Sequence, residues 1–280
     1  MTTPPAEARR ETSAFGRGHL GIFAVNLWRH QELLRHLMIR DIKVQYKQSM
    51  LGYAWILLNP IAQLVIMSFI FTTALRPATQ SGASYPLFLS VGLLPWIFFS
   101  NAVTLATSSI MSGPNLIKSV YFPREMLVIA AVLVRLVDLG AGLLIVSTLM
   151  VLSGQPLAWT VIWLPFLIMI HVLFVVGIAL PLAALNLFFR DVRFLITTLL
   201  SLWFFLTPIF YSLSAVPERY RLIYDLNPNA RLIQAYRWAL FQGVPPPLES
   251  VIWAAALSAI SLLAGYYVFK KMEPYFADYI

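Results

Sequence analysis

The chain has 280 residues, of which 59% are apolar and only 11% charged, with a formal net charge of +8 and no cysteine. A soluble globular domain carries about 25% charged residues, so this composition excludes an ordinary soluble domain and points to a polytopic membrane protein. The absent cysteines exclude a disulfide framework, a thiolate metal site and a cysteine nucleophile together.

Residues 1–27 contain prolines, glycines and charges without periodicity, and are read as a mobile cytoplasmic tail with no contiguous apolar region typical of a cleaved signal peptide. In residues 28–50, Leu33, Leu34, Leu37, Met38 and Val44 recur at helical spacing opposite Arg35, Arg40, Lys43 and Lys47. That pattern predicts a basic amphipathic helix in the membrane interface, serving either as a plain juxtamembrane anchor or as a contact for anionic lipid. Six apolar stretches follow, roughly Tyr53 to Leu75, Leu87 to Ile110, Met126 to Leu152, Leu157 to Asn186, Phe194 to Ser212 and Val251 to Phe269. A helix needs about 20 residues to cross about 30 Å of hydrocarbon, so each reads as a span and residues 51–272 as one six-span domain.

Lys and Arg set the orientation, because basic short loops stay in the cytoplasm. Eight basic residues precede the first span, Lys118 and Arg124 follow the second, Arg190 and Arg193 follow the fourth, and Lys270 and Lys271 follow the last. Both termini, including the tail at 273–280, are therefore expected in the cytoplasm. The excess basic charge is accounted for by topology and does not argue for nucleic acid. The segment 214–250 breaks the rule, carrying Arg219, Arg221, Arg231 and Arg237 on the side counted as external. Either it holds a further span or it is an external excursion; two short amphipathic helices dipping toward the membrane, separated near Asn227-Pro228, fit its pattern better. Its arginines would meet lipid phosphates or an anionic substrate.

Within the spans, Arg135 and Asp138 lie three apart in span three, where mutual pairing offsets an intramembrane charge cost of at least roughly 2.5 kcal/mol. The pair is either a packing element or a coupling site for ions. His171 in span four is read as a polar residue satisfied by a neighbouring helix ahead of a proton relay. Trp96, Phe98 and Phe99 in span two, and Trp203, Phe204 and Phe205 with Tyr211 in span five, form aromatic clusters. They are either an interface belt or flat faces on which sugar rings slide. No G-x-S-x-G, H-E-x-x-H or phosphate-cradling G-x-x-x-x-G-K-[ST] occurs, so the chain is expected to be no enzyme and to hydrolyse no ATP itself through that motif.

Several stretches resemble the membrane subunits of ABC exporters for O-antigen, capsule and teichoic-acid polysaccharides. These are Leu51-Gly-Tyr-Ala-Trp-Ile-Leu-Leu-Asn59-Pro60, Lys118-Ser-Val-Tyr-Phe-Pro123-Arg124-Glu125, Phe189-Arg190-Asp191-Val192, Thr207-Pro208-Ile209-Phe210-Tyr211, and Asn227-Pro228 followed by Tyr236-Arg237. The resemblance implies an all-α type-2 ABC exporter fold, with six transmembrane helices, the interfacial helix, and two short re-entrant gate helices between spans five and six. It implies that the loop from Gly113 to Glu125 is a coupling helix docking on a separate ATPase, with Asn115, Lys118, Tyr121 and Phe122 as contacts and Arg190, Asp191 and Arg193 as lesser ones. Two copies of the chain and two ATP-binding subunits are implied, with ATP and Mg on the partner and no cofactor or metal here. The expected substrate is an undecaprenyl-diphosphate-linked glycan crossing the bacterial inner membrane. Arg40, Lys43 and Lys47 would attract its diphosphate inside, and Arg219, Arg221, Arg231 and Arg237 would serve the outer gate. A drug or lipid exporter of the same fold, an ion-coupled carrier and a membrane-embedded transferase are the alternatives.

Overall fold

The computed structural model describes residues 27–46, 50–75, 85–112, 123–156 and 158–279. Among them every regular element is helical: α1 (Gln31–Tyr46), α2 (Trp55–Ile70), α3 (Tyr85–Ser108), α4 (Glu125–Val134), α5 (Leu136–Leu152), α6 (Leu164–Phe188), α7 (Val192–Phe205), α8 (Glu218–Asp225), α9 (Pro228–Tyr236), α10 (Leu248–Met272) and the short α11 (Phe276–Tyr279). Among the described residues, five apolar helical stretches are long enough to cross a membrane: Gly52–Thr73, Tyr85–Ser108, Glu125–Leu152, Trp159–Phe188 and Leu248–Tyr275.

The helix α3 is the centre of the bundle, packed against α2, α4, α5, α6, α7 and α9. It is the least apolar of the five long stretches and the most enclosed, and it carries Ser90, Asn101 and Thr107 among its protein neighbours. By contrast, α2 buries only the stripe Pro60, Leu64 and Ser68, and exposes Val65, Ile66 and Phe69. The apolar face of α1 buries Leu34 and Leu37 where the helix packs on α4, and Val44 stays exposed. Span three is not one helix, because the ladder is interrupted at Arg135 between α4 and α5.

The fifth predicted span is shorter than the sequence suggests. Its helix α7 has 14 residues, about 21 Å of rise, and ends at Phe205. Pro208 supplies no N–H for a further turn, and Thr207 turns its hydroxyl back onto the Trp203 carbonyl at 2.9 Å. The chain continues non-helically to Phe210, whose carbonyl accepts the Tyr85 hydroxyl at 3.1 Å. Residue 210 is therefore level with the start of α3.

Helices α6 and α10 form the most extensive contact and run parallel. The backbone at Gly177 meets Ser261, Leu262 and Gly265, and farther on Phe188 meets Phe276 and Tyr279. Two small residues let the backbones approach closely, as in membrane helix pairs generally. Two parallel neighbours require the intervening chain, 189–247, to return once from the end of α6 to the opposite end of the bundle. The helix α7 with its non-helical continuation makes that return.

Candidate functional site

The bundle has two chemically different ends. One gathers Arg124, Arg190, Arg193, Lys270 and Lys271, and is called here the basic end; the start of α3, the turn at Gly154 and the 3₁₀ turn Trp159–Trp163 lie at the other.

At the far end the segment after α7 folds into two short helices broken at Asn227. The Asn227 side chain accepts the Asn229 N–H at 3.1 Å and donates to the Thr207 hydroxyl at 3.2 Å, while Pro228 opens α9 with its φ already set. The outer member, α8, has no buried residue and carries Arg219 and Arg221 on its exposed surface, Arg221 paired with Glu218 at 3.5 Å and Arg219 over the Tyr220 ring. The inner member, α9, is inserted between α3, α6 and α10 and buries Asn229, Leu232, Ile233 and Tyr236. Its base reaches His171, eight residues into α6, which lies beside Asn229 and packs against Phe98 and Tyr236. Arg231 closes the hairpin: its Nη2 is 3.1 Å from the Asp225 carboxylate, its Nε donates to the Asp225 carbonyl at 2.7 Å, and it overlies Trp253 of α10. The turn Arg237–Phe241 then meets the start of α6, where the Thr160 hydroxyl donates to the Ala239 carbonyl at 2.6 Å.

The structure places Arg237 differently from the sequence reading. It is 2% exposed, too enclosed to receive a substrate phosphate. Its guanidinium donates to the carbonyls of Ile209 at 2.6 Å and Tyr211 at 3.4 Å and stacks 3.9 Å over the Phe88 ring. Gly92 of α3 makes room for it, since a Cβ there would lie 3.0 Å from both Arg237 Nη2 and the Ile209 oxygen. Arg237 thus supplies donors to backbone carbonyls of the non-helical segment that follows α7.

The aromatic clusters divide in the same way. Phe98 and Phe99 are 0% exposed and Trp96 is buried, so a sugar has no access to them within this chain. They pack internally, Phe99 on Phe174 and Trp203, Trp96 on Phe204, and Phe98 on His171. Phe205 is 62% exposed, and Trp203, Phe204 and Tyr211 are partly so. The Tyr211 and Tyr224 hydroxyls meet at 2.9 Å, linking the chain after α7 to α8.

In span three Arg135 and Asp138 meet at 3.2 Å, and Asn101 of α3 donates to the same carboxylate oxygen at 3.2 Å, tying the interruption between α4 and α5 to the central helix. On α1, Arg40 pairs with Asp41 at 2.7 Å and Lys43 is exposed; Lys47 lies outside the described residues, as do Asn115, Lys118, Tyr121 and Phe122. Arg190 and Asp191 are exposed in the short turn between α6 and α7, and Arg193 is exposed in the first turn of α7, over the Phe194 ring.

The sequence reading passed over a second charged cluster, at the basic end. Glu125, the first residue of α4, is 0% exposed and meets Lys270 of α10 at 2.9 Å; Lys270 also meets Glu273 at 2.8 Å. Arg124 donates to the Glu273 carbonyl at 3.0 Å and overlies Phe276. In the sequence Lys270 stands only as a basic residue after the last span and Glu125 as the end of a loop, and 145 residues separate them. The predicted C-terminal tail folds back, with Phe276 fully buried against Phe188 and Phe269.

The family model for ABC-2 type transporters matches residues 32–241, three quarters of the chain and every element from α1 through α9. The chain belongs to the ABC-2 type transporter family. Among its relatives, the O-antigen export system permease protein RfbA of Myxococcus xanthus is 32% identical over 256 residues, covering 91% of this chain and 97% of that protein. A permease of the same name from Klebsiella pneumoniae is 31% identical over 88% of this chain and 94% of its own length. The polysialic acid transport protein KpsM of Escherichia coli is 23% identical over 85% of this chain and 92% of its own. An ABC-2 membrane subunit is a multi-pass transport subunit, and the five long apolar helices agree with that.

Proposed function

We propose that the chain is the transmembrane subunit of an ATP-driven polysaccharide exporter, moving an undecaprenyl-diphosphate-linked glycan of the O-antigen type across the cytoplasmic membrane. The observation that carries this reading is the 32% identity to an O-antigen export permease across 97% of that protein's length. ATP is hydrolysed on a separate partner subunit that binds ATP and Mg. Two copies of the chain form the pathway, and the unaccompanied apolar surface of α2, with only three buried positions, is available for a second copy or lipid. The return of α7 and its continuation through the bundle counts as a sixth crossing. With six crossings the basic end faces the cytoplasm with both termini, and α8 and α9 form a re-entrant gate hairpin on the outer side.

Coupling is mechanical: ATP closes the partner dimer, and the loops at the basic end pass that rigid-body movement to the helices. In this reading Arg190, Asp191 and Arg193 meet the ATPase, and Asn115, Lys118, Tyr121 and Phe122, outside the described residues, are the main contacts that the family resemblance implies. Phe205, with Trp203, Phe204 and Tyr211, supplies the aromatic contact for sugar rings. Arg40, Lys43 and Lys47 attract the diphosphate inside, and Arg219 and Arg221, the exposed arginines of the hairpin, receive it outside. The test is to purify the chain from its native membrane in mild detergent, identify co-eluting proteins by mass spectrometry and assay ATP turnover. A stoichiometric ATP-binding partner with vanadate-sensitive hydrolysis is expected; a lone oligomer without ATPase activity would overturn the proposal in favour of a carrier.

A further inference from the structure

The cluster at the basic end joins three parts of the chain that are far apart in sequence. Glu125 begins α4, Phe188 closes α6 directly before the turn at residues 189–191, and Lys270, Glu273 and Phe276 belong to the end of α10 and the C-terminal fold-back. Their connections are strong for a surface-proximal end. Glu125 is fully buried against Lys270 at 2.9 Å, and Lys270 is shared with Glu273 at 2.8 Å. Arg124 donates to the Glu273 carbonyl at 3.0 Å, and the Phe276 ring sits 6.0 Å from Phe188 and 5.4 Å from Phe269. Two cations and two carboxylates balance within the cluster, so no net charge is carried into the bundle.

We infer that Glu125 and Lys270, braced by Glu273 and Phe276, are positioning residues of the transport cycle. They form a rigid joint that makes the start of α4, where one proposed ATPase-facing loop ends, and the turn between α6 and α7, the other, move as one body with α6 and α10. This rests on the reading that those loops meet a partner ATPase. The onward route is on the same helices: α6 and α10 are locked backbone to backbone at Gly177 and Gly265, and both pack against α9 of the gate hairpin. A buried ion pair suits a joint because parting it leaves an uncompensated carboxylate in an enclosed site, so the two elements move together rather than slide. Closely packed elements of this kind transmit small displacements without absorbing them.

The experiment compares wild type, Glu125→Gln and Phe276→Ala, each purified with its co-expressed ATPase. Complex assembly, vanadate-sensitive ATP turnover and glycan export in cells are measured together. Glu125→Gln and Phe276→Ala are expected to assemble and hydrolyse ATP near the wild-type rate while the ATP consumed per exported glycan rises by about fivefold or more. An unchanged ratio in Glu125→Gln and Phe276→Ala overturns the joint. So does a parallel fall of assembly, turnover and export in every variant, which is the mark of structural support alone. Absence of vanadate-sensitive turnover in the wild-type preparation overturns the exporter reading itself and this inference with it, an outcome distinct from both.

Discussion

Replacing Gly265 by alanine attacks the parallel contact on which the path of the chain depends. A Cβ at Gly265 would overlap the Gly177 carbonyl oxygen and lie 2.8 Å from its carbon and 3.1 Å from Pro181 Cδ. One at Gly177 would lie 2.5 Å from both the Leu262 nitrogen and the Ser261 carbonyl carbon. These neighbours are backbone atoms and a proline ring, so no side chain can rotate away. Real Cβ atoms essentially never come under 3.0 Å of such atoms, so the helices must part by at least 3.0 minus 2.5, or about 0.5 Å, at Gly177, and by more at Gly265. A gap of about 0.5–1 Å forfeits a quarter to a half of each dispersion contact along the interface. Overpacking itself costs about 1–3 kcal/mol. We therefore expect a loss of about 3 kcal/mol for Gly177→Ala and more for Gly265→Ala, equivalent to a fall in thermal midpoint of about 6 °C or more. Gly140→Ala is the control: nothing lies within 4 Å of its Cβ, and alanine in mid-helix gains about 0.5–1 kcal/mol. The assay is recovery of the monodisperse peak in size-exclusion chromatography after heating the detergent-purified protein. Melting of Gly265→Ala together with wild type and Gly140→Ala would refute the close parallel packing.

Three further outcomes are expected. Arg237→Met leaves the Ile209 and Tyr211 carbonyls without their donor and should lower stability by about 2 kcal/mol in the same heating assay, with Arg237→Lys between it and wild type because one ammonium does not reproduce the guanidinium fork. Asp138→Asn strands Arg135, which is mostly enclosed, and should lower the amount of assembled protein in membranes by immunoblot; normal amounts with abolished export would instead assign the pair to coupling. Phe205→Ala and Phe98→Ala separate pathway from core. The exposed Phe205 should lose export with its melting unchanged, whereas fully buried Phe98 should cost about 3–5 kcal/mol of stability, and equal melting of the two would remove the distinction.

Much of the architecture was legible in the linear pattern. Continuous apolar stretches of membrane length marked the five long helices, because a backbone crossing lipid must satisfy its own hydrogen bonds. The Asn227-Pro228 turn marked the break between α8 and α9, through local chemistry: an Asn side chain that caps and a proline whose φ suits the first helical turn. The early end of α7 was also written in Thr207-Pro208, but a hydropathy reading carries on through Ile209-Phe210-Tyr211 as though the helix did.

By itself, then, the sequence determined that this is a membrane bundle, that Asn227-Pro228 divides the segment after α7, and where the basic residues fall, since hydropathy, turn chemistry and charge act over a few residues. Only the tertiary structure decided which side of each helix meets protein. Lipid tails and a packed core are equally apolar, so nothing in the composition of α3 or α7 distinguishes buried Phe98 from exposed Phe205. The same holds for Arg237 folded onto the carbonyls after α7, Lys270 reaching Glu125, and Gly177 lying against Gly265. Each joins residues distant in sequence, and the energy of such a pair depends on distances of a few ångströms that exist only once the helices are packed.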